Sequence, residues 1–163
     1  MMKKIMMLCC TVVFLISCGT TKIERQAERT FKGNWTLNTI TYPNSSGFVD
    51  VMLFDHAKAN CFRNSSWAFI SNNNQGNYSL NGADCPSGTQ DFTWAVQEVD
   101  PESGLYDFTL KRVSEDENAR KIKQGYRLSL KSLSENNMVW EQTVSFEGKP
   151  FIIRMSFSKS ANL

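Results

Sequence analysis

Few side chains in this 163-residue sequence have the types and spacing that catalysis needs. A Ser-His-acid arrangement would have to use His56, the only histidine, which lies in a polar connection, and no Gly-x-Ser-x-Gly motif is present. We therefore expect no enzyme, no catalytic residues and no cofactor, since phosphate-binding glycine loops and Cys-x-x-Cys motifs are also missing from the sequence. Paired carboxylates could also act as acid and base, and the candidates lie in charged, turn-like stretches: Asp100, Glu102, Glu115, Asp116 and Glu117. Charged runs of this kind usually form solvated loops.

The N-terminus carries a different kind of chemistry. Met1-Met2-Lys3-Lys4 precedes an apolar run from Ile5 to Ile16, which has signal-peptide length and is too short for a permanent transmembrane helix. The run ends in Leu15-Ile16-Ser17-Cys18, which resembles a bacterial lipobox. The resemblance implies that the Cys18 sulfur takes a diacylglycerol, that the bond before it is cut, and that the new amino group is acylated. We expect residues 1–17 to be a lipoprotein signal peptide; the alternative is an uncleaved helix with an incidental cysteine.

Cleavage before Cys18 would leave a chain of balanced charge. It removes Lys3 and Lys4, so the number of basic residues falls from 18 to 16 and equals the 16 acidic residues. A neutral chain without a basic cluster has no electrostatic basis for binding nucleic acid. Gly19 after the lipid cysteine, in place of an aspartate, suggests sorting to the outer membrane by analogy with enterobacterial lipoproteins. We expect a protein of the cell envelope, anchored to the membrane by its N-terminal lipid.

Two further cysteines, Cys61 and Cys85, would then lie in a compartment that permits disulfides. We interpret them as one bridge, worth about 2–4 kcal/mol, and the alternative is two free thiols. A metal site is not expected, because zinc usually takes four ligands and His56 is the only histidine.

The rest of the chain has the pattern of a β protein. Residues 18–30 are polar and charged, which predicts a tether, and the domain is expected over 31–158, followed by a tail at 159–163. Apolar residues alternate with polar ones at period two in Phe92–Val96, Tyr106–Leu110, Tyr126–Leu130, Met138–Phe146 and Phe151–Phe157, and weaker strands are predicted over Gly33–Thr41, Phe48–Phe54, Ser66–Ser71 and Gly76–Leu80.

Short turns separate most of these predicted strands, so neighbours in sequence should pair as antiparallel hairpins. Two longer stretches, Asp55–Ser65 and Ser114–Gln124, depart from this pattern. A meander of eight or nine strands leaves two exposed edges unless the sheet closes on itself. The sequence therefore predicts an all-β, antiparallel, up-and-down barrel. A two-sheet sandwich is the alternative.

The first predicted strand opens with Gly33-Asn34-Trp35, which resembles the signature of the lipocalin family. In that family the glycine allows a tight entry, the tryptophan plugs the closed end of the barrel, and an arginine from a late strand lies over the indole. The resemblance implies these roles for Gly33, Trp35 and Arg154, with Arg127 as the second choice for the arginine.

The similarity is to the compact lipocalin-like domains on lipoproteins of Bacteroidetes-type bacteria, and it covers Phe31 to about Ser158 as a pattern. The sequence departs from the family at two points. It leaves no room for the C-terminal helix, and it has no convincing Thr-Asp-Tyr motif.

The predicted interior is strongly aromatic, so it could be filled by side chains or could leave a cavity. In the second case Trp67, Trp94 and Trp140 would line an apolar pocket near the open end, with Gln142 orienting the ligand. The expected function is a membrane-anchored envelope lipoprotein that binds a small apolar ligand. The alternative is a filled barrel that contacts another envelope protein or a host protein.

Overall fold

The structure is a computed structural model that describes residues 29, 31–45, 50–70, 73–100, 102–113, 122 and 124–160. Cys18 and the predicted signal peptide lie outside the described residues. No helix among the described residues is both long and apolar enough to cross a membrane. The described elements, in chain order, are β1 (Gly33–Thr41), β2 (Met52–Leu53), β3 (Ala57–Lys58), α1 (Ala59–Phe62), β4 (Ser65–Ile70), β5 (Gln75–Ser79), β6 (Thr89–Val99), β7 (Tyr106–Arg112), β8 (Tyr126–Leu133), β9 (Asn137–Phe146) and β10 (Lys149–Lys159).

Eight of the strands form a closed antiparallel barrel in the order β1-β10-β9-β8-β7-β6-β5-β4. The first and last strands close it, with Trp35 opposite Lys159 and Thr41 opposite Arg154. The predicted up-and-down barrel is therefore confirmed, and the sandwich is wrong. The strand predicted over Phe48–Phe54 is corrected: residues 48–49 lie outside the described part, and only Met52–Leu53 pairs, with β3 in a separate two-stranded sheet.

Alternation along the strands places one apolar face inside the barrel, as expected for strands with one dry and one wet side. The inward side chains predicted from the sequence are buried along most strands, including Leu37, Phe108 and Met155. Phe146 is an exception, because 61% of it is exposed. Phe146 is the last residue of β9, paired with Lys149 next to the two-residue turn of the β9–β10 hairpin, so its side chain lies at the end of the hairpin and outside the core.

The barrel has two different ends. At the entry end β1 begins and β10 ends; at the mouth β1 ends and the β9–β10 hairpin turns. Residues 50–64, which we call the cap, belong to the connection between β1 and β4 and contain β2, β3 and α1. Leu53, Phe54 and Phe62 of the cap are buried in the core. Phe54 packs edge-on against Trp67 and Tyr126, so the cap closes much of the mouth.

A disulfide fixes the cap to the loop between β5 and β6. Cys61 in α1 is bonded to Cys85, with 5.6 Å between the Cα atoms, as the sequence predicted. The bridge joins two segments that lie 24 residues apart and share no strand ladder.

Candidate functional site

The three tryptophans predicted to line a pocket are part of a filled core. Trp67, Trp94 and Trp140 are buried, and the rings of Trp67 and Trp140 meet edge to face at 5.5 Å. Trp140 also packs on Phe157 at 4.2 Å. These contacts correct the predicted site: the indoles are held by other aromatic rings and do not form an open wall.

Gln142 lies on the same inward face, nearer the mouth than Trp140. It stands opposite Ile153 in the β9–β10 ladder and is partly buried. Of the next inward positions on β9, Val144 is partly buried against the core and Phe146 is exposed, and both line a groove. Gln142 therefore lies between the buried Trp140 and this groove.

A groove of about 450 Å³ lies between the β9–β10 hairpin and the cap side of the mouth, and we call it the mouth groove. The hairpin supplies an apolar wall, and Tyr42 packs behind it on the Phe151 ring at 5.4 Å. The ring centroids of Phe146 and Phe151 are 6.0 Å apart, and the exposed Phe146 ring lies at the opening of the groove. The lining residues are Asn44, Ser45, Asp50, Val51, Val144, Phe146, Glu147, Lys149, Pro150 and Phe151.

Hydrogen bonds fix the walls of the mouth groove. Beyond the end of β1, the side-chain amide of Asn44 replaces a strand neighbour: its Nδ2 donates to the carbonyl oxygen of Pro150 at 2.7 Å, and its Oδ1 accepts from the Ile152 N–H at 3.0 Å. On the cap side, Lys58 Nζ donates to Asp50 Oδ2 at 2.8 Å. The groove is therefore preformed, with an apolar floor and a polar rim.

The groove lies beside a gap in the strand ladder. Among the described residues, β8 pairs with β9 only from Ser129 opposite Glu141 to Leu133 opposite Met138. The last part of β9, residues 142–146, is therefore paired with β10 alone. This leaves a short stretch of unpaired strand edge next to the exposed Phe146.

A polar cluster on the cap lies across the mouth, near β5, β7 and β8. His56 Nδ1 and the Tyr78 hydroxyl are 2.8 Å apart, and Arg112 Nη1 donates to the Asp55 carbonyl oxygen at 3.0 Å. Burial and the nearby Arg112 charge lower the pKa of His56. Burial, followed by the charge and hydrogen bond of Asp55, raises the pKa of Tyr126 to about 12. The His56 imidazole and the Tyr126 phenol therefore stay neutral near pH 7.

This cluster was missed in the sequence because His56 lies in a connection and its partners come from distant strands. The backbone is also unusual there: Phe54 and Asp55 have positive φ angles of 53° and 45°, a region that non-glycine residues rarely occupy. The cluster holds the cap on the barrel. Within the described ranges, no three His, Cys, Asp or Glu side chains lie close enough together to bind a metal ion.

The entry end contains the residues compared with lipocalins. Gly33 has a φ of 121°, so the chain turns there in a conformation that suits glycine. The Trp35 ring is fully buried, and its Nε1 donates to the Phe31 carbonyl oxygen at 2.9 Å.

The cation near the Trp35 indole is Lys159, whose Nζ lies 5.2 Å from the ring centroid. This corrects the role implied for Arg154, which points outward and donates from Nε to Glu141 Oε1 at 2.7 Å. The second choice, Arg127, binds Asp107. Lys159 shares the inward face of Phe157, whereas Arg154 alternates with the buried Ile153 and Met155 and must face outward.

No family model, curated protein or solved structure matches this chain.

Proposed function

We propose that the protein is a lipid-anchored lipoprotein of the bacterial cell envelope that binds a small apolar molecule in the mouth groove. The observation that carries the proposal is the groove itself. Its volume of about 450 Å³ lies in the usual range for small-molecule sites, roughly 300–1,000 Å³. An exposed Phe146 ring is costly to keep in water and gains free energy when an apolar ligand covers it.

The filled core explains why the groove is the better candidate within the barrel. Trp67, Trp94 and Trp140 are already buried against other rings, so a ligand among them would have to displace packed side chains. Val144, Phe146 and Phe151 already border the open volume of the groove. The polar rim, with Asn44, Asp50 and Lys149, suits a ligand that has an apolar body and a polar end.

The lipid anchor is proposed from the lipobox. Cys18 is followed by the predicted tether at residues 18–30, which would join the anchor to the barrel ahead of β1.

The groove is tested by binding of N-phenyl-1-naphthylamine, a neutral dye whose fluorescence rises in apolar sites. Phe146→Ser should weaken binding about tenfold, because removing one ring contact from a binding site costs roughly 1–2 kcal/mol. Ile70→Ser is the matched control, since Ile70 is also an exposed apolar residue, at 41%, and lies at the entry end. Equal dye affinity in the two variants would remove the groove from consideration.

The anchor is tested separately. Cys18→Ala should leave an unlipidated precursor that is larger than the mature protein and no longer partitions into detergent. More than one acyl chain gives stable anchoring, at about 0.8 kcal/mol per buried methylene, so the wild-type protein should partition completely. Unchanged mass and partitioning in the variant would contradict the lipoprotein proposal and leave the groove proposal standing.

The gap in the ladder favours a second function, contact with an envelope or host protein. The unpaired edge of β9 at residues 142–146 could receive an extended strand of a partner, with Phe146 packing on its side chains. Thr143→Pro would remove one backbone donor at this edge. If capture of a partner depends on Thr143 while dye binding does not, the protein-contact function is supported over the ligand function.

A further inference from the structure

In the described part of the chain, three large apolar side chains are exposed, and two of them lie at the mouth. Phe146 is 61% exposed, and Met52, on β2 in the cap, is 55% exposed. Met52 follows Val51, which lines the mouth groove together with Phe146. The third, Ile70, ends β4 near the entry end. The mouth therefore presents exposed apolar side chains on both sides of its groove.

Each of these two side chains stands directly opposite a lysine in its strand ladder. Phe146 pairs with Lys149 across the β9–β10 hairpin. Met52 pairs with Lys58 across the small sheet of β2 and β3. Residues directly opposite each other in an antiparallel pair lie on the same face of the sheet, so each lysine lies beside its apolar partner. The mouth thus carries two pairs of one exposed apolar side chain and one cation.

The charges near these lysines are partly balanced. Lys58 Nζ donates to Asp50 Oδ2 at 2.8 Å, although the Lys58 side chain is 65% exposed. Lys149 forms no ion pair with any of the residues that the structure describes, and Glu147 lies two positions before it in the turn. The surface is therefore amphipathic without being strongly basic, so a partner must match its apolar side chains first and its cations second.

We propose that the mouth docks on a phospholipid surface, with Phe146 and Met52 inserted among the acyl chains and the Lys149 ammonium group bound to lipid phosphates. A phospholipid surface offers both matching groups, because its chains cover apolar side chains and its phosphates attract lysines. Insertion removes from water the apolar area that is now exposed. The mouth groove would open towards the lipid, so an apolar molecule dissolved in the membrane could enter it directly.

The proposed lipid anchor permits this orientation, and the choice of a membrane as the partner rests on that proposed function. The predicted tether at residues 18–30 could reach at most about 45 Å if fully extended. The 11 residues of β10, which run along the barrel, span at most about 37 Å. A chain that starts in the membrane could therefore pass alongside the barrel and enter β1 at the end farther from the lipid.

The experiment places a tryptophan at the mouth and measures whether lipid chains reach it. The full-length lipoprotein is reconstituted in vesicles of phosphatidylcholine and phosphatidylglycerol, with or without bromine on the acyl chains, since bromine quenches indole fluorescence on contact. Brominated lipid should remove most of the emission that Phe146→Trp adds, whereas the four native tryptophans are buried and should lose little. Ile70→Trp is the matched control and should stay unquenched, because Ile70 is exposed near the entry end and stands opposite Gln75.

The role of the lysine is tested in the Phe146→Trp protein. Lys149→Gln should lower the ratio of docked to undocked barrels about fivefold on these vesicles, because each lysine near an anionic surface contributes a free energy of that size. Lys32→Gln removes the same charge from an exposed position ahead of β1 and should leave the quenching unchanged.

Met52→Trp should be quenched in the same way as Phe146→Trp, and it replaces that variant if Phe146→Trp does not fold. The proposal is overturned if either folded variant stays unquenched, if Ile70→Trp is quenched equally, or if the added tryptophan is shielded by a second copy of the chain in place of lipid. The mass of the purified protein reports the anchor separately. If the protein carries no lipid, the same vesicles are added from outside, and quenching still decides whether the mouth docks.

Discussion

Trp35 closes the entry end of the barrel through contacts on several sides. Its ring is fully buried, its indole donates to Phe31, and Lys159 Nζ lies over its face. Burial of the ring accounts for most of the stabilisation, because a cation over an indole contributes only about 0.5–1 kcal/mol where the cation remains in water.

Substitutions at the entry end should therefore have unequal effects. Trp35→Ala opens a cavity and should lower the free energy of unfolding by about 3–5 kcal/mol, whereas Lys159→Ala should cost under about 1 kcal/mol. Denaturant melts of both variants and of the double variant measure this. The two effects should be non-additive, because the residues share one contact. Additive losses, or a nearly neutral Trp35→Ala, would contradict the packing described for this end.

His56 makes the attachment of the cap sensitive to pH. Its pKa is lowered in the folded state, whereas an unfolded histidine titrates near about 6.5. Below about pH 6.5 the unfolded chain binds the proton first, so the folded state loses stability as the pH falls through this window. The same stability is fully present above the unfolded pKa.

The melting temperature of the wild-type protein should therefore fall from about pH 7 to about pH 5 by more than that of His56→Gln, which cannot titrate there. Thermal melts of both proteins in matched buffers measure the difference. Parallel pH profiles would mean that His56 has the same pKa in the folded and unfolded chains.

Among the elements, the cap depends on its covalent link. α1 is only four residues long and has no side-chain cap, so it has little stability of its own. The bridge from Cys61 to Cys85 holds it against the barrel together with the buried Phe54 and Phe62.

Reduction of this bridge should lower the melting temperature by several degrees. A disulfide closing a loop of this length contributes about 3 kcal/mol, and one kcal/mol shifts a domain of this size by roughly 2–8 °C. Thiol labelling of the unfolded, unreduced domain should find neither Cys61 nor Cys85 free. The double variant Cys61→Ala, Cys85→Ala separates loss of the bridge from effects of the reductant.

Alternation in the sequence was enough to predict most of the barrel. A side chain such as Phe108 or Met155 alternates with polar neighbours, and this alone assigns it to the inside. Phe31, Phe54 and Phe62 could not be assigned in this way, because they lie outside the barrel strands and reach the core through long-range contacts. They help to fill the interior, which is the first of the two alternatives that the sequence left open.

The candidate site was predicted less well, because it also depends on long-range structure that alternation does not show. Phe146 is at an inward-facing position in the alternation of β9, but the strand extends past the rim of the barrel, so this side chain borders the groove and solvent. Arg154 was assigned from a family pattern although its own alternation, between Ile153 and Met155, places it outside with Glu141. Local sequence does not show how far β9 extends beyond the rim of the barrel. It also does not show that β1 pairs with the end of β10, which brings Lys159 next to Trp35.

At the scale of the whole molecule, a filled core separates two different ends. The aromatic contacts run without interruption from Phe31 at the entry end through Trp140 and Trp67 to Phe54 in the cap. The mouth groove lies outside this chain of rings, beside the β9–β10 hairpin. The interior of the barrel is therefore filled, and its two ends present separate surfaces.

The pairing of β1 with β10 also determines how the barrel responds to mechanical load. The start of β1 and the end of β10 lie side by side, with Trp35 opposite Lys159. Tension between these two points would pull β1 and β10 apart sideways and break their hydrogen-bonded residue pairs one after another. Tension between the start of β1 and the hairpin turn at Gly148 would instead act along the strands and load all their hydrogen bonds together. The barrel should thus yield at low force when pulled by its adjacent ends and resist a much higher force when pulled along its length.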